Sequence, residues 1–252
     1  MDKALNIVNV VIPNAYRRET RFFWFFSLFI TFLLFGGFAS NWISNPDVLG
    51  RISLVTGLHG AFSVAWYLLL LNQIQLSGAG RYSAHKNLGK LSLLLVIAIL
   101  ITGPMMALEF YQRLTDFGIF NPEDAQARIR AGGFLGGTLL QWLIFLALYI
   151  LGILNISNPA HHKRFMVAAA IQLMPEGLNR FTHLLALPGY SMFVLMFLIY
   201  VTLMAYDWKI KSRIYISTLL SFGLFLVLTV AMNTGFKTQA WGDWAVGMVN
   251  SL

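Results

Sequence analysis

The stretch HKRFMVAAAIQLMPEGLNRFTH, residues 162–183, decides how many times this chain crosses a membrane. Hydrophobic segments flank it on both sides, and it reads as one membrane-crossing helix that extends to about residue 187. Gln172, Glu176, Asn179 and His183 are spaced by 4, 3 and 4 residues, which places them on one face of that helix. A charged side chain at mid-bilayer costs on the order of 2.5–3.5 kcal/mol on insertion scales, so such residues face a protein interior or a wet cavity.

Working outward, the rest of the chain is strongly apolar. Of its 252 residues, 58% are hydrophobic and 11% charged, and the mean hydropathy is +0.68. Soluble domains carry roughly 25% charged residues, so the composition indicates a polytopic membrane protein without a sizeable soluble domain. The absence of cysteine excludes disulfides, thiolate metal sites and thiol nucleophiles. The net charge of +8 does not indicate nucleic acid, because the basic residues sit beside hydrophobic segments, where they meet anionic lipid and set topology. Arg17, Arg18 and Arg21 precede an apolar run, Phe22 to Ala39, that is longer than a cleaved signal would have.

The predicted fold is all-α: a polytopic helix bundle forming one domain over 1–252, with seven spans of about 20 residues each. The spans are placed at 22–43, 54–76, 89–109, 134–154, 165–187, 189–207 and 213–232. A short interfacial segment is expected over 1–20, an outer loop over 110–133 and an outer tail over 233–252, with Trp241 and Trp244 as interfacial anchors. With the N-terminus cytoplasmic, 12 Lys and Arg fall inside and 5 outside, with Arg180 within a span, which favours that orientation. Seven spans then put the C-terminus outside, opposite to rhodopsin-type receptors, and span seven has no lysine for a retinal Schiff base. A bacterial inner membrane is the expected location.

Gly132, Gly133, Gly136 and Gly137 open span four with small-residue spacing. Close packing within one chain is favoured over an oligomer contact. Gly36 and Gly37 carry the same two readings.

The five histidines fall in two layers. The inner layer holds His85, His161 and His162 beside Arg81, Lys86, Lys163 and Arg164. The outer layer holds His59, His183, Arg180 and Glu109, with Gln141 near and Glu176 closer to mid-depth. Pro104 and Pro175 interrupt spans three and five near these acids, and a proline that frees a carbonyl can open a cavity at membrane depth. Each feature also has an ordinary structural reading. Glu176 and Arg180, four residues apart, are read equally well as a mutually neutralising pair. The inner histidines read first as interfacial residues, and His59 and His183 are the better ligand candidates.

Two patterns resemble an uncharacterised bacterial family of predicted seven-helix membrane proteins, known only as a domain of unknown function. One runs from His59 through Gln73 to His85-Lys86-Asn87-Leu88-Gly89. The other is His162-Lys163-Arg164-Phe165-Met166 followed by Arg180. They cover spans two to five. The resemblance implies the fold and no activity.

Three functions compete. The first is a b-type haem protein for electron transfer, with His59 and His183 as outer ligands, His85 and His162 as inner ligands, and cations such as Arg180 near the propionates. This is similar in plan to the two-haem, ascorbate-reducible cytochromes b. It departs from them in that span four has no histidine, and in that the 21 residues between His162 and His183 measure about 31 Å along a helix. One haem, or none, fits better than two. The second is a membrane enzyme holding zinc or iron on His59, His183, Glu109 and Glu176, although no compact ligand motif is present. The third is a non-catalytic module that binds quinone, lipid or a small anion, or an accessory subunit among other membrane subunits. The reading narrowly favours a His-based haem or metal centre in the outer half of the bundle.

Overall fold

The computed structural model describes residues 14–47 and 52–251, and these are helical with no strand among them. The expected interfacial stretch Ala4–Ile12, with Lys3 and Arg51, lies outside the described residues. The helices are α1 (Asn14–Ser44), α2 (Leu54–Gly78), α3 (Tyr82–Asp116), α4 (Ala125–Leu154), α5 (Pro159–Gln172), α6 (Pro175–Leu184), α7 (Ser191–Lys211), α8 (Ile216–Asn233) and α9 (Gln239–Asn250). Six of them, α1 to α4, α7 and α8, are long and apolar enough to cross a membrane. The chain is thus an all-α bundle of the multi-pass membrane type.

The fifth expected span is not one helix. It is α5 and α6, broken at Leu173–Met174. Pro175 has no N–H, and its ring would collide with the carbonyl four residues back. The N–H groups of Leu173 and Met174 therefore close three-residue turns, onto the carbonyls of Ala170 and Ile171 at 3.1 Å each. Pro175 then opens α6 at the position where a missing N–H costs nothing. The single polar face drawn over Gln172, Glu176, Asn179 and His183 does not survive the break. Gln172 is fully buried on α5, while on α6 Glu176 and Asn179 are half-buried and His183 is exposed.

α5 is the hub of the bundle. Arg164, Phe165 and Val167–Gln172 are all buried, and three consecutive alanines let neighbouring helices approach. Its polar anchor is at its start. The Arg164 guanidinium donates to both carboxylate oxygens of Asp207 on α7, through Nε at 2.9 and 3.1 Å. It also reaches Glu19 of α1 at 3.4 Å and the Ala160 carbonyl at 2.8 Å, and lies 3.9 Å from the Tyr215 ring centroid. Asp207 further accepts from the Thr218 hydroxyl at 2.7 Å and from the Tyr215 N–H at 3.3 Å, while Lys163 pairs with Glu19 at 3.3 Å. Two cations meet two anions, so the cluster is neutral. Arg164 and Asp207 are both 0% exposed, and desolvating them is tolerable only because every charge there is paired and hydrogen-bonded.

At the other end α6 touches α1 backbone to backbone. A Cβ on Gly177 would lie 2.5 Å from the Leu34 carbonyl oxygen, and one on Gly37 would collide with the Gly177 oxygen. α5 and α6 together thus lie alongside α1, from Glu19 near its start to Gly37 near its end.

The loop expected over 110–133 is shorter than that. α3 continues to Asp116, and α4 begins at Ala125, where the Asp124 carboxylate accepts from the N–H groups of Gln126 and Ala127 at 3.0 and 3.2 Å. The tail folds into a 3-10 turn (Gly235–Lys237) and α9, both lying on the glycine stripe of α4. A Cβ on Gly132 would meet Gly242 at 2.7 Å, and one on Gly136 would meet Phe236 and Trp241 at 2.8 Å. The stripe serves packing within the chain. Trp241 donates to the Gly132 carbonyl at 2.8 Å, while Trp244 remains exposed.

Two outcomes are expected in detergent unfolding measurements. Asp207→Asn strands the Arg164 charge and should cost about 3–5 kcal/mol, whereas the double change Arg164→Met with Asp207→Leu should cost less than either single change. Gly177→Leu should lose about 1–3 kcal/mol through overpacking against α1. Gly36→Leu, with nothing within 4 Å of its added Cβ, should change stability little.

Candidate functional site

Around the start of α5, the N-terminal turns of α1 and α3 meet the C-terminal turns of α2 and α4. These five helices enclose a cavity of about 870 Å³. Its deep wall is apolar and aromatic, with Phe23, Trp66 and Tyr149. Its mouth is polar, with His85, Lys86 and Lys90 from α3 and His162 and Lys163 from α5. Leu93 of α3 and Leu154 of α4 line the cavity while remaining exposed on the outer surface of the bundle, so it opens sideways between these helices.

Both histidines at the mouth are held by backbone carbonyls. His85 Nδ1 lies 3.1 Å from the Gln73 carbonyl oxygen, and the Gln73 side-chain amide returns a bond of 3.0 Å to the His85 carbonyl. His162 Nδ1 lies 2.7 Å from the Gly152 carbonyl oxygen. A carbonyl can only accept, so Nδ1 is the donor in both rings, and in a neutral ring the lone pair is then on Nε2. Ligating histidines are oriented in this way, with the second nitrogen donating to a fixed acceptor. The two ring centroids are 6.3 Å apart, with planes at 73°.

Local sequence explains the placement. Pro159 starts α5, so His162 stands in its first turn, and the absence of a side chain on Gly152 admits Met166, whose sulfur would lie 2.7 Å from an added Cβ. His85 likewise stands in the first turn of α3, and Gly89, one turn further, keeps the wall beside it open. Ser92 and Tyr149 share a hydrogen bond of 2.9 Å across the deep wall. The Trp66 indole N–H and the Gln73 amide oxygen are buried and find no partner among the described residues. Lys86 and Lys90, one turn apart, are the mouth's cations outside the Glu19 cluster.

The outer residues do not converge in the same way. His59 Nδ1 bonds the Thr102 hydroxyl at 3.0 Å, and its ring stands 6.3 Å from that of Trp142, so it faces α3 and α4. Glu109 accepts from the Ser53 hydroxyl and pairs with Arg113 at 3.2 Å. Glu176 and Arg180 pair with each other at 3.2 Å, and the guanidinium lies 4.5 Å from the Phe38 ring centroid. His183 ends α6, which packs on α1 and α7. Among the described residues, no hydrogen bond, ion pair or ring contact joins His59 to His183, and no group of three or more His, Asp or Glu side chains is placed to hold a metal ion. His161 turns away from the cavity, to Ser217 of α8 at 2.9 Å.

Comparison with family models, with curated proteins and with solved structures gave no match.

Proposed function

We propose that the chain is a seven-crossing integral membrane protein that carries one b-type haem between His85 and His162 and serves electron transfer. The observation that carries this reading is the imidazole pair. The ring centroids are 6.3 Å apart, and both Nδ1 atoms are tied to carbonyls, so the two Nε2 atoms would be the ones to hold the iron. Haem needs only these two protein ligands, because the porphyrin supplies the others, and when bound it provides a one-electron carrier. A bare zinc or iron ion asks the protein for three or four ligands, which makes the metal-enzyme reading the weaker one. Phe23, Trp66 and Tyr149 form an apolar wall suited to a macrocycle, and Lys86 and Lys90 are set to receive propionates at the mouth. The haem site thus belongs to the inner layer of histidines.

The seventh crossing is α5–α6, in line with its course alongside α1, and the Lys and Arg asymmetry favours a cytoplasmic N-terminus and an outer C-terminus in a bacterial inner membrane. Lipid surrounds the exposed apolar faces.

Purified protein supplied with haem should show a Soret band that shifts on dithionite reduction, at one haem per chain. His85→Ala and His162→Ala should each abolish the low-spin spectrum, whereas His59→Ala and His183→Ala should keep it. A colourless preparation after haem supplementation would refute the reading. In a separate topology test, alkaline phosphatase fused to the C-terminus should be active, and an N-terminal fusion inactive.

A further inference from the structure

The cluster of Arg164, Asp207 and Thr218 fixes how α5, α7 and α8 sit against one another, and a second polar level follows from it. Gln172 lies eight residues beyond Arg164 on α5, about 12 Å along the axis. Tyr200 lies seven residues before Asp207 on the antiparallel α7, and Phe225 seven beyond Thr218 on α8, each about 10 Å in the same direction. Seven residues are almost two full turns, so Tyr200 keeps the face of Asp207, turned to α5 and α8. Its ring stacks on Phe225 with centroids 5.4 Å apart. Eight residues rotate Gln172 by about 80° from Arg164, toward the side where His161 bonds Ser217 of α8. Helix periodicity thus puts Gln172 and Tyr200 at one depth, on the sides of α5 and α7 that face α8, immediately before the break between α5 and α6.

Both residues are 0% exposed. The Gln172 amide nitrogen, the Gln172 amide oxygen and the Tyr200 hydroxyl have no hydrogen-bond partner among the described residues. Tyr67, also fully buried, is the contrast: its hydroxyl donates to the Ala170 carbonyl at 2.6 Å. Native interiors satisfy such groups with a protein atom, a water or an ion. We propose that bound water occupies the junction of α5, α7 and α8 and bridges the Gln172 amide to the Tyr200 hydroxyl. The groups are neutral and offer both donors and acceptors, which matches water. A cation would need a carboxylate there, and Asp207 is already committed to Arg164, Thr218 and the Tyr215 N–H. The site is independent of the haem reading.

X-ray radiolytic footprinting of the whole protein in lipid nanodiscs tests this, because hydroxyl radicals form at bound water and label only adjacent side chains. Tyr200 should be oxidised several-fold faster than Tyr67, and Gln172→Leu should reduce that labelling. Tyr200→Phe should lower the Tm, since it removes one of the water's partners. Tyr200 as unreactive as Tyr67, or a Tm that rises in Tyr200→Phe because a stranded hydroxyl was removed, would overturn the proposal.

Discussion

The bundle depends on one constraint: a guanidinium taken wholly out of water must find its counter-charge inside the protein. Arg164 does so with Asp207 and Glu19, and in doing so draws the starts of α1, α5 and α8 and the end of α7 to one point. Two carboxylates are needed because Lys163 enters the same cluster. The cost of separating such charges at low dielectric exceeds that of most side-chain contacts, so the relative depth of four helices is set there.

From that point the site follows. With the start of α5 fixed, His162 stands beside the end of α4, and the Gly152 carbonyl holds its ring. α3 lies on α2 through the reciprocal Gln73–His85 bonds. The two histidines therefore arrive from two separately anchored helix pairs, α2–α3 and α4–α5, and the cavity is the gap between those pairs. The break at Pro175 matters at the opposite end. It ends α5 and starts α6, whose Gly177 backbone lies against α1 so closely that a side chain there would collide with Leu34.

Much of this was legible in the chain and some was not. Apolar runs near 20 residues located the six long helices, because span length is imposed by the bilayer and written locally. Pro175 was seen to interrupt span five, yet whether a proline bends or ends a helix depends on which groups receive the freed carbonyls, and that is a tertiary matter. The sequence offers both the inner and the outer histidines as candidates, and it does not say which of them stand beside one another. Periodicity gives the face of a residue on its own helix and says nothing of which neighbour that face meets. Hence His59 and His183, both on polar faces, turned out to serve different neighbours. Asp207 and Glu19 carried no signal at all: 43 residues separate Asp207 from its partner, and each acid, alone beside cations near a helix end, reads as ordinary interfacial charge. A search for acids able to neutralise Arg164 would have been the only route to them.

The sideways opening between α3 and α4 gives the cavity an apolar rim beside its cationic mouth. Leu93 and Leu154 are at once its wall and the outer skin of the bundle, so an apolar molecule could enter from the lipid side, while a polar one meets Lys86 and Lys90 first. For a lipophilic occupant the bilayer then holds most of the free ligand, and apparent affinity measured against total concentration in buffer would track the amount of lipid present.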